Sequence, residues 1–226
     1  MNEKQTIDVS AAPMRIRPAR RAIQLVFGLA LYGFSMAMLV RAELGVNPWS
    51  VLYEGLTQYL PLSFGTITAI LGVLVLLLWI PLKQRPGIGT VANILVLALS
   101  VDAGLAVIPR DLSLPFDVGL LVAGVALNGL AIAVYVGARL GPGPRDGLMT
   151  GLAARTGRSV RLVRTAIELT VLAIGWTLGG TVGAGTLVYA FGVGPVTQFF
   201  LPRLVVRLPS AVPEPHTSSA SPLAAS

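Results

Sequence analysis

The sequence predicts an all-α, polytopic membrane protein. It reads as six transmembrane helices forming two inverted-topology three-helix repeats, each with a short re-entrant or interfacial helix after its first span. Three observations carry this. The 226-residue chain is 54% hydrophobic and only 12% charged, about half the charge of an ordinary soluble domain. Its Lys and Arg sort between alternate loops. The chain also repeats itself at an offset of 96 residues, so that residues 25–90 align without a gap on 121–186 and match at about a third of the positions. The matches gather at Gly and Pro, where backbone geometry rather than hydrophobicity selects the residue. Leu44-Gly45-x-x-Pro48 falls on Leu140-Gly141-x-x-Pro144, and Gly87, Gly89 and Thr90 fall on Gly183, Gly185 and Thr186.

A spanning helix needs about 20 mostly apolar residues. Six segments qualify, at 22–40, 64–82, 87–108, 116–136, 160–179 and 184–206. The sixth holds Gly192, Gly194, Pro195 and Gln198 and is expected to kink or break there. The first resembles a signal peptide, with basic residues ahead of an apolar run and Val40 and Ala42 as a weak cleavage pair. Its match to the internal fourth span argues for an uncleaved helix.

With the N-terminus placed inside, only Arg41 and Arg110 of the 17 Lys and Arg fall outside. The positive-inside rule then gives N-in and C-in orientation with six spans. The same sorting accounts for a pI near 10.6 without nucleic acid, and the lipid bilayer is the expected partner. Three spans per copy is an odd number, so the second copy enters the membrane inverted. The divisions are a basic tail at 1–20, repeat one at 21–112, repeat two at 113–208 and a disordered cytoplasmic tail at 209–226. The lone His216 lies in that tail, and the chain has no Cys. Disulfides and thiolate metal sites are therefore excluded, and neither a metal nor a cofactor is expected.

After the first span of each repeat comes a Gly-Pro turn and a run of about ten residues. Asn47 suits an N-cap and Pro48 a first helical position, and Gly143 and Pro144 copy the arrangement. A run of that length is too short to span. The N-terminus of such a helix exposes unpaired N–H groups and about half a positive charge, and irregular backbone at membrane depth survives only when buried in protein or lining water. The two segments therefore either line and gate a pathway from opposite faces or are capped loop helices. Ser50 and Asp146 occupy matching positions, and Glu54 lies one turn beyond Ser50. Arg145 is expected to pair with Asp146 or to anchor at the cytoplasmic face. Trp49, Tyr53 and Tyr59 read as an interfacial aromatic belt.

Ionisable residues inside spans are costly and mark function. Glu168 either couples protons or substrate or simply pairs with Arg164 one turn before it. Asp102 lies in the outward part of the third span, within reach of the interface. Asn93 and Asn128 read as interhelical hydrogen-bond glue, and the many span glycines as close packing.

The strings Gly141-Pro142-Gly143-Pro144-Arg145-Asp146-Gly147-Leu148-Met149, Arg164-Thr165-Ala166-Ile167-Glu168, Leu44-Gly45-x-Asn47-Pro48-Trp49 and Gly183-x-Gly185-Thr186 are distinctive. Over about residues 20–207 the chain resembles the YczE-like integral membrane proteins of bacteria, related to the broader YitT group. The Arg- and Ala-rich composition resembles that of actinobacterial proteins. The resemblance implies a cytoplasmic-membrane protein, with export of secondary metabolites or similar small molecules suggested for relatives. It supplies no site residues.

Two functions compete. The first is a secondary transporter or exporter of a small molecule, working by alternating access between the repeats with a coupling proton. Its path and coupling candidates are Asn47, Pro48, Ser50, Glu54, Asp102, Gly143, Pro144, Arg145, Asp146 and Glu168. The second is a membrane scaffold or accessory subunit whose basic stretch 155–164 contacts a partner. An enzyme is not expected: no nucleophile–His pair or metal-ligand cluster occurs, and the glycine strings lack the Lys-Ser/Thr of a phosphate-binding loop.

Overall fold

A computed structural model of the chain describes residues 15–206. Residues 1–14 of the expected basic tail, the expected disordered tail and His216 lie outside the described residues. The described residues form eight α-helices and no strand. They are α1 (Pro18–Arg41), α2 (Pro48–Thr57), α3 (Phe64–Leu82), α4 (Ile88–Val107), α5 (Leu114–Gly137), α6 (Pro144–Thr156), α7 (Val160–Thr177) and α8 (Ala184–Leu204).

Five of these, α1, α3, α4, α5 and α8, are long and apolar enough to cross a membrane. In the 18 residues of α7, the charges of Arg161, Arg164 and Glu168 interrupt the apolar run. Large apolar side chains such as Ile80, Leu99 and Phe191 are more than 70% exposed. That surface suits lipid, which needs no polar cover, and the chain is a multi-pass membrane protein.

Matching sequence signals start matching helices. Pro48 and Pro144 occupy first positions of α2 and α6. Ser63 accepts a hydrogen bond from the Thr66 N–H at 3.0 Å, and its counterpart Ser159 accepts one from Leu162 at 3.3 Å. After α1 and α5 the chain turns through left-handed residues at the same register. Glu43 and Arg139 have φ of 51° and 55°, and Gly45 and Gly141 have φ of 107° and 122°, values at which a Cβ is strained. The expected break in the sixth span is absent. Pro195 and Pro202 sit inside an unbroken α8, as happens in membranes when neighbouring groups satisfy the freed carbonyls.

The tertiary contacts also recur at the 96-residue offset. Helices α1 and α5 pack together at the centre, α4 flanks α1, and α8 flanks α5. A Cβ on Gly28 would meet the Tyr135 backbone at 2.7 Å, and one on Gly124 would meet Leu39, the counterpart of Tyr135, at 3.0 Å. Such seams let helix backbones approach closely. The start of α4 grips the turn before α6: the Gly89 N–H donates to the Leu140 carbonyl at 2.9 Å, and Thr90 Oγ1 donates to the Pro142 carbonyl at 2.8 Å. The start of α8 grips the turn before α2 in the same way. Gly185 N–H donates to Leu44 at 2.7 Å, and Thr186 Oγ1 donates to Val46 at 2.9 Å. Likewise α2 packs on α7 and α6 on α3.

One pair breaks the pattern. Helix α3 packs along α4, with Gly72 against Ile94 and Gly65 against Ala98. Helices α7 and α8 hardly touch. Gly194, the counterpart of Ala98, has open space where its Cβ would point.

Candidate functional site

The N-termini of α2 and α6 converge on one cavity of about 390 Å³, a size that suits small-molecule sites. Asn47 caps α2 with its own side chain. Its Oδ1 accepts from the Ser50 N–H at 3.0 Å, and its Nδ2 donates to Ser50 Oγ at 2.7 Å. Gly143 caps α6 without a side chain, and Trp79 Nε1 fixes that start by donating to the Pro144 carbonyl at 2.9 Å. A side chain on Gly147 would run into the Trp79 ring, so Gly keeps this contact open.

Arg145 lines the cavity with its guanidinium 5.1 Å from the Trp49 ring centroid and 5.3 Å from that of Tyr53. The expected pairing with Asp146 does not form: no carboxylate lies within 4 Å of Arg145 among the described residues. Nor is it a surface anchor, because residue 145 turns into the protein at the first turn of α6. Trp49 and Tyr53 are buried at 7% and 1% exposure, which corrects the interfacial-belt expectation. The cation inside holds these rings there, whereas Tyr59 is exposed. Trp49 Nε1 is buried and has no hydrogen-bond partner.

From the far wall, Arg164 Nε donates to Glu168 Oε1 at 2.9 Å, and both side chains line the cavity. Asp146 lies near the Tyr135 hydroxyl at 3.4 Å. Burial pushes its carboxyl above the ordinary range, against the lowering pull of Arg164, Arg145 and the tyrosine. Tyr32 and Tyr135 stack with centroids 5.8 Å apart. The Tyr189 hydroxyl donates to Asn128 Oδ1 at 3.0 Å, and Asn128 Nδ2 donates to Ser35 Oγ at 2.8 Å. Asn128 thus ties α1, α5 and α8, while Asn93 lines the cavity.

The structure brings together Asn47, Pro48, Gly143, Pro144, Arg145, Asp146 and Glu168. Ser50 is buried behind Asn47 and does not line the cavity. Glu54 accepts from the Thr181 N–H at 2.7 Å, tying α2 to the α7–α8 turn. Asp102 accepts from Ser63 Oγ at 2.5 Å and the Gly65 N–H at 2.7 Å, holding the start of α3. Tyr32, Tyr135 and Tyr189 were not among the expected site residues. A tyrosine hydroxyl inside an apolar span is the signal that marks them, because it needs a partner in lipid. Among the described residues no three His, Asp or Glu side chains gather as a metal site.

The repeat-one counterpart of this cavity is nearly closed. It is lined by Thr68, Gly72, Asn93 and Leu97, the 96-offset partners of Arg164, Glu168, Tyr189 and Val193, and holds about 10 Å³, room for about one water.

The sequence profile described as "Family of unknown function (DUF6198)" matches residues 19–202. An uncharacterised protein of Haemophilus influenzae is 37% identical, over 82% of this chain and 84% of its own length. The uncharacterised membrane protein YczE of Bacillus subtilis is 32% identical, over 82% of this chain and 87% of its own. The uncharacterised protein YyaS of the same organism is 22% identical, over 77% of this chain and 89% of its own. No solved structure matches.

Proposed function

The chain belongs to this family of bacterial membrane proteins, and we propose that it is a secondary transporter or exporter of a small molecule, working by alternating access between two inverted-topology repeats. The observation that supports this most is the asymmetry between equivalent halves. The α7–α8 side stands open around about 390 Å³, and the α3–α4 side is packed down to about 10 Å³. Exchanging the two arrangements would close one entrance and open the other around a common site, which is the logic of inverted-repeat transporters. The grips of Thr90 and Thr186, at 2.8 and 2.9 Å, each cross from one repeat to the other, so the units that move in this reading pair α3 and α4 with α6, and α7 and α8 with α2. With six spans and N-in, C-in orientation in the cytoplasmic membrane, Arg164 and Glu168 lie in the inner half of α7, and the open state faces inward. Glu168 and Asp146 are the coupling groups in this reading. Asp102 is left to its contacts at the start of α3.

The test is proton flux in proteoliposomes, read with an internal pH dye while a panel of small organic acids is applied outside. Substrate-dependent proton movement in the wild type and its loss in Glu168→Gln is the expected result. Undiminished flux in that variant removes Glu168 from coupling, and no flux with any member of the panel counts against transport.

A second reading, a scaffold or accessory subunit, draws on Arg155, Arg158, Arg161 and Arg164, which are all exposed around the α6–α7 turn. A partner that co-purifies in fixed stoichiometry and is lost when Arg158 and Arg161 are changed to Gln would favour it.

A further inference from the structure

We propose that the cavity recognises an acidic group, a carboxylate or phosphate ester, held by the Arg145 guanidinium, on a molecule with an aromatic or apolar body. The inference rests on the transporter reading for its setting but not for its chemistry.

The donors come first. Two helix N-termini converge on the cavity, and their dipoles favour negative charge. Independently of them, Arg145 lines the cavity with no carboxylate within 4 Å. Its neighbours there are the ring faces of Trp49 and Tyr53, which leave its charge without an acidic counterpart. An oxyanion would supply one, with the guanidinium offering its planar fork.

The carboxylates already in the cavity do not fill this role. Glu168 is engaged by Arg164 at 2.9 Å. Asp146 lies by the Tyr135 hydroxyl at 3.4 Å, and a Cβ on Gly143 would meet its Oδ2 at 3.3 Å. The Arg145 guanidinium instead turns toward the two aromatic rings at 5.1 and 5.3 Å.

The rest of the wall sets the body of the ligand. Tyr32, Tyr135, Ile132 and Val193 line it with ring and methyl surface, which suits a planar or apolar skeleton. The stretch between α7 and α8, where Tyr189 and Val193 face Arg164 and Glu168 across the cavity, is the side on which the neighbouring helices hardly touch.

The experiment is calorimetric titration of the full chain in nanodiscs with 1-naphthaleneacetate, its neutral amide, and naphthyl phosphate. The acids are expected to bind at least tenfold tighter than the amide. Arg145→Gln should abolish that preference, and Arg85→Gln, at an exposed arginine outside the cavity, should keep it. Discs of phosphatidylcholine and of phosphatidylglycerol distinguish the source of the anion. Weaker acid binding in phosphatidylglycerol alone identifies a lipid headgroup as the natural occupant of the same acidic-group site, and equal binding in both identifies a soluble acid. Equal binding of acid and amide, a preference that survives Arg145→Gln, or no binding of either acid overturns the proposal. Acid binding without transport would sink the transporter reading alone. Transport with unaltered acid preference in Arg145→Gln would sink only the acidic-group site.

Discussion

Arg145 lies with its guanidinium 5.1 Å from the ring centroid of Trp49, the residue that holds its own position in the other repeat. The two first-turn side chains of α2 and α6 therefore meet where the halves meet. One supplies a cation and the other a π-face, so a pair of equivalent positions has become complementary rather than identical. A desolvated cation–π contact of this kind is worth about 2 kcal/mol. A double-mutant cycle of Trp49→Leu and Arg145→Met, read by thermal unfolding in detergent, is expected to give a coupling of about 1–2 kcal/mol. Additive single effects would show that the contact contributes nothing.

The two threonine grips predict matched phenotypes. Thr90 donates to Pro142 and Thr186 to Val46 at nearly equal distances, 2.8 and 2.9 Å. Thr90→Val and Thr186→Val should each cost about 1 kcal/mol and lower the melting temperature by similar amounts. A large difference between them would mean that the two halves are not held in the same way.

Close packing at α6 predicts a size limit. A side chain at Gly147 enters the space of the Trp79 ring, so Gly147→Val should destabilise by about 1–3 kcal/mol through overpacking. Gly119→Ala, where nothing lies within 4 Å, should leave the melting temperature near that of the wild type.

Burial raises the Asp146 carboxyl above its ordinary range, which predicts a pH dependence of definite sign. The folded state then holds a proton that the unfolded state has released, so the folded state loses stability as pH rises above about 4, the unfolded carboxyl range. Asp146→Asn removes that loss. The melting temperature of the variant relative to the wild type should therefore increase from pH 4 to pH 8. A difference that is flat or decreases with pH contradicts the assignment.

Much of the fold was legible because Gly, Pro and Ser at fixed register report backbone geometry. The offset of 96 residues anticipated the paired turns at Gly45 and Gly141. It did not tell depth. Trp49 and Tyr53 read as belt residues because an amphipathic ring suits either an interface or a buried cation, and the cation came from a segment 96 residues away. Glu54 and Asp102 looked like path residues because ionisable groups in apolar segments usually are. Their backbone partners, Thr181 and Gly65, are set by tertiary approach that no local spacing encodes. The asymmetry between the α3–α4 and α7–α8 pairs was likewise invisible, since two near-equivalent sequences can hold either arrangement.

The central claim is that these halves exchange their arrangements. Its most direct test is a pair of spin-label distances on single-purpose cysteine variants, made clean by the absence of native Cys. One pair, at Arg161 and Gly194, spans the open α7–α8 side. The other, at the exposed Ile70 and Leu99, spans the packed α3–α4 side. The account predicts a second, shorter population at 161–194 and a second, longer one at 70–99, rising and falling together as pH is varied. One invariant distance at each pair across that range would contradict it.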